Sequence, residues 1–198
     1  MVRREDYKPT KALWIFCEGK CEKSYFDKLK FEERISRLKI RPIKVGHRNA
    51  DGIIQEAIDF KHKKNDFQKN DLIVCVFDRD ANTNEQLNKA KKLAEKNSIL
   101  VGFSNPCFEY WFLCHYDYFP SAYEKDSLHT KVKEFIPKYK KNDSEPYLKT
   151  RNNLSKAVHN AEKIMEMQLV KKIELICKES NPLTLVFQII KKINEFRD

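Results

Sequence analysis

The sequence predicts an α/β fold: a mainly parallel sheet flanked by helices, followed by a mainly helical C-terminal part. Three observations lead there. Two near-continuous apolar runs, residues 12–17 and 72–77, have the character of strands buried on both faces rather than the alternation of a half-exposed strand. Segments with helical spacing separate the strand candidates, which implies right-handed βαβ crossovers and a three-layer core. Each of the two runs is followed at once by acidic residues. They fall at the strand ends where open α/β sheets hold their ligands.

The elements follow in order. Residues 1–11 are polar and are expected to fray. Ala12 to Cys17 form the first strand, and Glu18-Gly19-Lys20 a turn. Glu22 to Arg37 read as a helix, with Tyr25, Phe26, Leu29 and Ile35 on its apolar stripe. Lys39 to Val45 alternate as a second strand, and Pro42 within it argues for a sheet edge. Asp51 to about Gln68 form the second helix, Leu72 to Phe77 the next strand, Asn84 to Lys96 the third helix and Ile99 to Phe103 a short fourth strand. Pro106 to Tyr118 are apolar nearly all round, as in a buried helix. Lys125 to Pro146 hold a short basic helix and a polar loop, and Asn152 to Ile176 a long helix. Asn181-Pro182 fit the N-cap and first turn of a last helix ending near Phe196. One domain over residues 1–198 is expected. Its α/β core covers about 12–104, and a helical extension packed on that core covers about 105–198.

Composition narrows the function classes. The 198 residues are 41% hydrophobic and 34% charged, with only four Gly and seven Pro, so long disordered linkers are not expected. No apolar run approaches the roughly 18 residues of a membrane span. The N-terminus lacks the apolar stretch of a signal peptide, so a cytoplasmic location is expected. Cys17, Cys75, Cys107 and Cys114 lie in apolar runs and read as buried, reduced thiols. Cys17 and Cys21 do not make a Cys-x-x-Cys pair, so a structural zinc site is not expected. The formal net charge is +10, carried mostly by lysines concentrated at 61–64, 89–92, 131–141 and 171–172. Such a surface attracts phosphate backbones without reading sequence, although lysine runs also serve as plain solvated faces.

Against that basic body stand the acids. Glu18 follows the first strand directly, with Gly19 beside it for a turn or a close backbone approach. Asp78 and Asp80 follow the Leu72 run, and residues i and i+2 face one way if strand geometry continues, so both could meet one ion. Glu109 is the single acid in an otherwise aromatic and apolar segment, and burying it unpaired would cost several kcal/mol. Asn105 as cap and Pro106 in the first turn would set it one turn into the helix, at the same sheet edge. The competing reading is a buried ion pair with Arg79 or Lys20. Acids gathered this closely repel one another unless a divalent cation compensates them. Glu22, one helical turn after Glu18, either supports the acidic site from behind or, as the default reading, is a first-turn acid favoured by the helix dipole. Lys20 and Arg79 flank the acids and suit a substrate phosphate. His47 and Arg48 belong to the same edge or to a loop, and His115 reads as a core or boundary histidine. The five histidines show no metal-ligand spacing, and Ser24, Ser104 and Ser121 lack a nucleophile-elbow context.

At these residues the chain resembles a known family. Cys17-Glu18-Gly19-Lys20-Cys21-Glu22-Lys23-Ser24-Tyr25-Phe26, Val76-Phe77-Asp78-Arg79-Asp80, Ser104-Asn105-Pro106-Cys107-Phe108-Glu109-Tyr110-Trp111 and Asn181-Pro182-Leu183-Thr184 are similar, in order and spacing, to the signatures of the RloB family. Cys21 stands where such motifs often carry threonine. The resemblance implies a Toprim-like Rossmannoid core and a role in prokaryotic antiviral defence beside an ATPase partner of AAA or ABC type. It also implies a Mg²⁺- or Mn²⁺-dependent nuclease acting on DNA or RNA, or a related phosphotransfer activity. Glu18, Asp78 and Asp80 take the places of the metal-binding acids, with Glu18 bridging or acting as general base. Glu109 falls in the family's Asn-Pro-x-x-Glu segment as a further catalytic acid, and Lys20 and Arg79 would bind the nucleic acid and stabilise developing charge. The alternative is a non-catalytic nucleic-acid- or partner-binding subunit. The number of ions and self-association are left open.

Overall fold

The computed structural model describes residues 11–42, 49–63, 66–80, 82–140 and 145–196. Five strands form one sheet: β1 (Leu13–Cys17), β2 (Leu38–Pro42), β3 (Leu72–Asp78), β4 (Ile99–Asn105) and β5 (Leu183–Thr184). Their spatial order is β2-β1-β3-β4-β5. The first four are mutually parallel, and β5 runs antiparallel to β4, pairing Ser104 with Thr184 and Asn105 with Leu183. The predicted α/β class is therefore present, and Pro42 does mark an edge strand.

The two strands at the centre of the order carry the continuous apolar runs. All five residues of β1 are buried, as are the middle five of β3. The chain leaves β1 towards β2 on one side, then returns past β1 to β3 on the other. That reversal lies between β1 and β3 and opens a crevice at their C-terminal ends, the topological switch point where such sheets take ligands.

Eight α-helices accompany the sheet among the described residues: α1 (Lys20–Glu32), α2 (Ala50–His62), α3 (Asn84–Asn97), α4 (Glu109–Cys114), α5 (Lys125–Phe135), α6 (Pro146–Thr150), α7 (Leu154–Val170) and α8 (Val186–Asn194). Helix α2 packs on α3 and β3, while α8 lies on β4 and packs against α7, which in turn meets α4. Gly102 in β4 makes the α8 approach close, because a Cβ there would fall 2.3 Å from Ile189 Cδ1. A capping box starts α3: Thr83 Oγ1 accepts from the Gln86 N–H, and Gln86 Oε1 accepts from the Thr83 N–H. None of the described helices is long and apolar enough to cross a membrane. All six cysteines are buried free thiols.

Several boundaries differ from the sequence reading, each for a physical reason. The buried helix expected over 106–118 is confined to α4, because Asn105 and Pro106, joined by a cis peptide bond, belong to the strand end and the turn after it. Asn105 does not cap the helix; its Nδ2 donates to the carbonyls of Cys177 and Lys178, both at 3.1 Å. Likewise Asn181-Pro182, also cis, leads into β5 before α8 begins. Asn181 Oδ1 accepts from the Tyr123 N–H at 3.1 Å and its Nδ2 donates to the Tyr123 carbonyl at 2.8 Å. The C-terminal part thus gives the sheet an edge strand as well as helices. The long helix over 152–176 shortens to α7, preceded by a 3-10 turn at Arg151–Asn153. The second helix ends at His62 rather than near Gln68. The distal part of the expected strand 39–45, with His47 and Arg48, lies outside the described residues, as does nearly all of the polar start.

At the opposite end of the strands, a buried carboxylate fixes how β1 and β3 begin. Asp71 accepts from the Ala12 N–H at 2.8 Å, from Trp14 Nε1 at 2.9 Å and from the Gln68 N–H at 3.0 Å. Asp71→Ala would strand these donors in a dry environment. We expect a loss of about 3 kcal/mol in urea denaturation; a loss under about 1 kcal/mol would show that the network adds little.

Candidate metal and active site

The crevice at the switch point is built from four carboxylates on four segments. Glu18 directly follows β1, and its N–H donates to the Val76 carbonyl at 3.0 Å, extending the β1–β3 ladder by one bond. Its side chain turns to the neighbouring strand, where Oε2 accepts from the Asp78 N–H at 3.0 Å. Asp78 closes β3, and its Oδ1 is buried with no hydrogen-bond partner among the described residues. Glu22 sits in the first turn of α1 and is only 4% exposed. Glu109 is the first residue of α4, also 4% exposed.

Gly19 makes room for this grouping. Its φ of −117° is ordinary, so conformational freedom is not the reason for glycine. A Cβ at that position would lie 2.5 Å from Glu22 Oε2, and the approach of the carboxylate requires its absence.

The electrostatics of three of these acids differ in sign. Burial, followed by repulsion from Glu22, Glu109 and Glu18, pushes the Asp78 carboxyl well above the usual carboxylate range. Burial, with Glu18 and Glu109 adding to it, raises Glu22 to about 7. Glu109 goes the other way. Burial alone would raise it, but hydrogen bonds from His129, Cys107 and Tyr139 outweigh burial and hold it down to about 2. Tyr139 Oη donates to Glu109 Oε1 at 2.8 Å and lies 3.6 Å from Cys21 Sγ. The partners of Glu109 are thus His129 and Tyr139, not Arg79 or Lys20.

Asp80 stands apart from this group. Strand β3 ends at Asp78, and Asp80 has a φ of 24°, so the alternation that would align the two aspartates stops between them. Its exposed carboxylate forms an ion pair with Lys125 Nζ at 2.9 Å. Arg79 is half-buried, its N–H donating to the Ser104 carbonyl at 2.8 Å, and its Nε is buried without a partner among the described residues. Lys20 is exposed at the start of α1. His115 is a core histidine: its Nδ1–H donates to the Trp111 carbonyl at 2.9 Å, and burial pulls it down to about 4.

Five participants were not among the residues singled out from the sequence as catalytic or binding. Glu22 was read as a first-turn acid. Lys125 supplies the cation nearest Asp80. Asn82 shapes the turn after β3, donating from Nδ2 to the Asp78 carbonyl at 3.0 Å and accepting at Oδ1 from the Ala50 N–H at 2.8 Å. It thereby joins that turn to the start of α2. Cys107 and His129 converge on Glu109. Only the Cys-x-Glu spacing of Cys107 and Glu109 offered a local signal for that last pair.

Fold and site together define an α/β protein whose acidic cluster sits at the switch point of a mainly parallel sheet. Residues 13–193 match the family model described as RloB-like protein, and the chain belongs to the RloB family. No curated protein and no solved structure matches it.

Proposed function

We propose that this chain is a metal-dependent nuclease of Toprim-like type, hydrolysing phosphodiester bonds in prokaryotic antiviral defence with an ATPase partner. The observation that carries the reading is the gathering of Glu18, Glu22, Asp78 and Glu109 at the switch point of a protein with a net charge of +10. An all-oxygen donor set with an orphaned Asp78 Oδ1 fits a hard divalent cation such as Mg²⁺ or Mn²⁺. Asp78 and Glu18 would hold the ion, with Asp80 at the rim. When bound, the ion would polarise a phosphoryl oxygen and make a water molecule acidic enough to attack.

The protein's own groups do the rest. Glu18 is oriented by the Asp78 N–H, so its carboxylate is fixed for accepting a proton from the attacking water. Glu22, raised to about 7, can give or take a proton near neutral pH. Lys125, Lys20 and Arg79 supply positive charge around the acids for a polyanionic substrate. A second reading, a non-catalytic subunit of a defence complex, draws on the satisfaction of Asp80 by Lys125 and of Glu109 by His129 and Tyr139.

The test is cleavage of tRNA, single-stranded DNA and duplex DNA, with and without Mg²⁺ or Mn²⁺ and with the ATPase added. Cation-dependent cutting of one of these supports the nuclease. If no substrate is cut under any condition and calorimetry detects no Mg²⁺ or Mn²⁺ binding, the subunit reading replaces it.

A further inference from the structure

Beside the carboxylate cluster lies a group of different chemistry. Cys107, in the turn between β4 and α4, and His129, on α5, meet at Glu109. Cys107 Sγ lies 3.9 Å from His129 Nε2, and His129 Nε2 lies 3.4 Å from Glu109 Oε1. One ligand atom from each of the three residues lies within 4.8 Å of the other two.

The His129 contacts are long for hydrogen bonds, and the same spacings suit coordination. A charge-assisted imidazole–carboxylate bond closes to about 2.7–2.9 Å, whereas this pair stands at 3.4 Å. Zinc binds thiolate at about 2.3 Å, imidazole at about 2.0–2.1 Å and carboxylate at about 2.0–2.2 Å. Tetrahedral angles then put S···N at about 3.6 Å and N···O at about 3.3 Å. The observed separations are within about 0.3 Å of both. Charge agrees as well: one thiolate, one carboxylate and a neutral imidazole offset the two positive charges of Zn²⁺. A buried ion therefore leaves no net charge behind.

We propose that Cys107, Glu109 and His129 form a Zn²⁺ site that fastens α5 to the turn after β4. Thiolate and imidazole donors select this ion over Mg²⁺. Tyr139 Oη donates to Glu109 Oε1, the oxygen that faces His129, and so fixes the carboxylate's orientation. On binding, the Cys107 thiol gives its proton to solvent as the S–Zn bond forms. Three protein ligands leave the fourth position to water. The site goes beyond the nuclease reading and needs no hydrolysis to exist; Glu109 is the residue common to both.

Cobalt(II) is the probe, because thiolate ligation to it gives a charge-transfer absorption and tetrahedral geometry intensifies its visible bands. The full-length chain is expected to show both. Zn²⁺ should abolish them at one ion per chain. Cys107→Ser should remove the charge-transfer absorption, and His129→Gln should weaken Co²⁺ binding by more than about tenfold. Glu18→Gln should keep the wild-type cobalt spectrum even if it loses all hydrolysis, which separates failure of this site from failure of the nuclease reading. An octahedral, thiolate-free spectrum in the wild type overturns the proposal. So does a wild-type spectrum in Cys107→Ser. If Cys107→Ser does not fold, His129→Gln on the half-buried face of α5 decides, and unchanged affinity there overturns the site.

Discussion

Asp78→Asn is expected to lower phosphodiester hydrolysis by roughly 10³-fold or more while leaving the fold intact. On the proposed reading the carboxylate would be the central metal ligand, and its buried Oδ1 has no hydrogen-bond partner among the described residues. The same substitution should increasingly stabilise the metal-free protein as pH rises above the ordinary carboxylate range. Burial and then Glu22, Glu109 and Glu18 raise the Asp78 carboxyl, so the native state holds its proton to higher pH than the unfolded chain does. Stability from this group is therefore complete below the unfolded pKa and is lost as pH rises through the folded one. An amide carries no such penalty. Circular dichroism melts at pH 5 and pH 8, alongside a cleavage assay with Mg²⁺, measure both effects. Wild-type cutting by Asp78→Asn would remove the residue from the mechanism.

Glu22→Gln should show a second large stability change at the site. With its carboxyl raised from 4.5 to about 7, Glu22 costs the native state roughly 3 kcal/mol once ionised. The cost builds as pH rises from 4.5 towards about 7. Denaturation in chelator should therefore find the variant more stable by about 2–3 kcal/mol at pH 8 and equal to wild type near pH 4. Saturating Mg²⁺ should shrink the gap at pH 8, because a bound cation offsets the same repulsion. Equal stabilities at pH 8 without metal would mean that Glu22 is not held in a dry, repulsive setting. Glu109 has the opposite sign. Held down to about 2 by its donors, it contributes stability above the usual carboxylate range that is lost as pH falls through about 2.

How much of this could be read from the sequence follows from where each signal resides. Strands β1 and β3 were legible because a strand buried on both faces must be apolar at every position, and theirs are. The acids after them were legible for the same reason: a charge that ends such a run marks the sheet's edge. Alternation, in contrast, could not be carried from Asp78 to Asp80, since the positive φ that turns Asp80 aside leaves no mark in local composition. The two Asn-Pro pairs fit a helix cap as well as a turn. The choice between them was made by distant carbonyls at Cys177, Lys178 and Tyr123. Strand β5 is two residues long and exists only because β4 is there to pair with it. Burial of Glu22 depends on a missing Cβ three residues earlier. The meeting of Cys107 and His129 spans 22 residues. Both are facts of tertiary packing.

Helix α5 holds two of the site's contacts. Lys125 and His129 lie four residues apart, one helical turn, with Lys125 bonded to Asp80 and His129 set against Glu109. A shift of this one helix would take Lys125 from Asp80 and His129 from Glu109 at once, leaving Glu109 with Tyr139. The charge of the crevice is thus geared to the seating of a single helix.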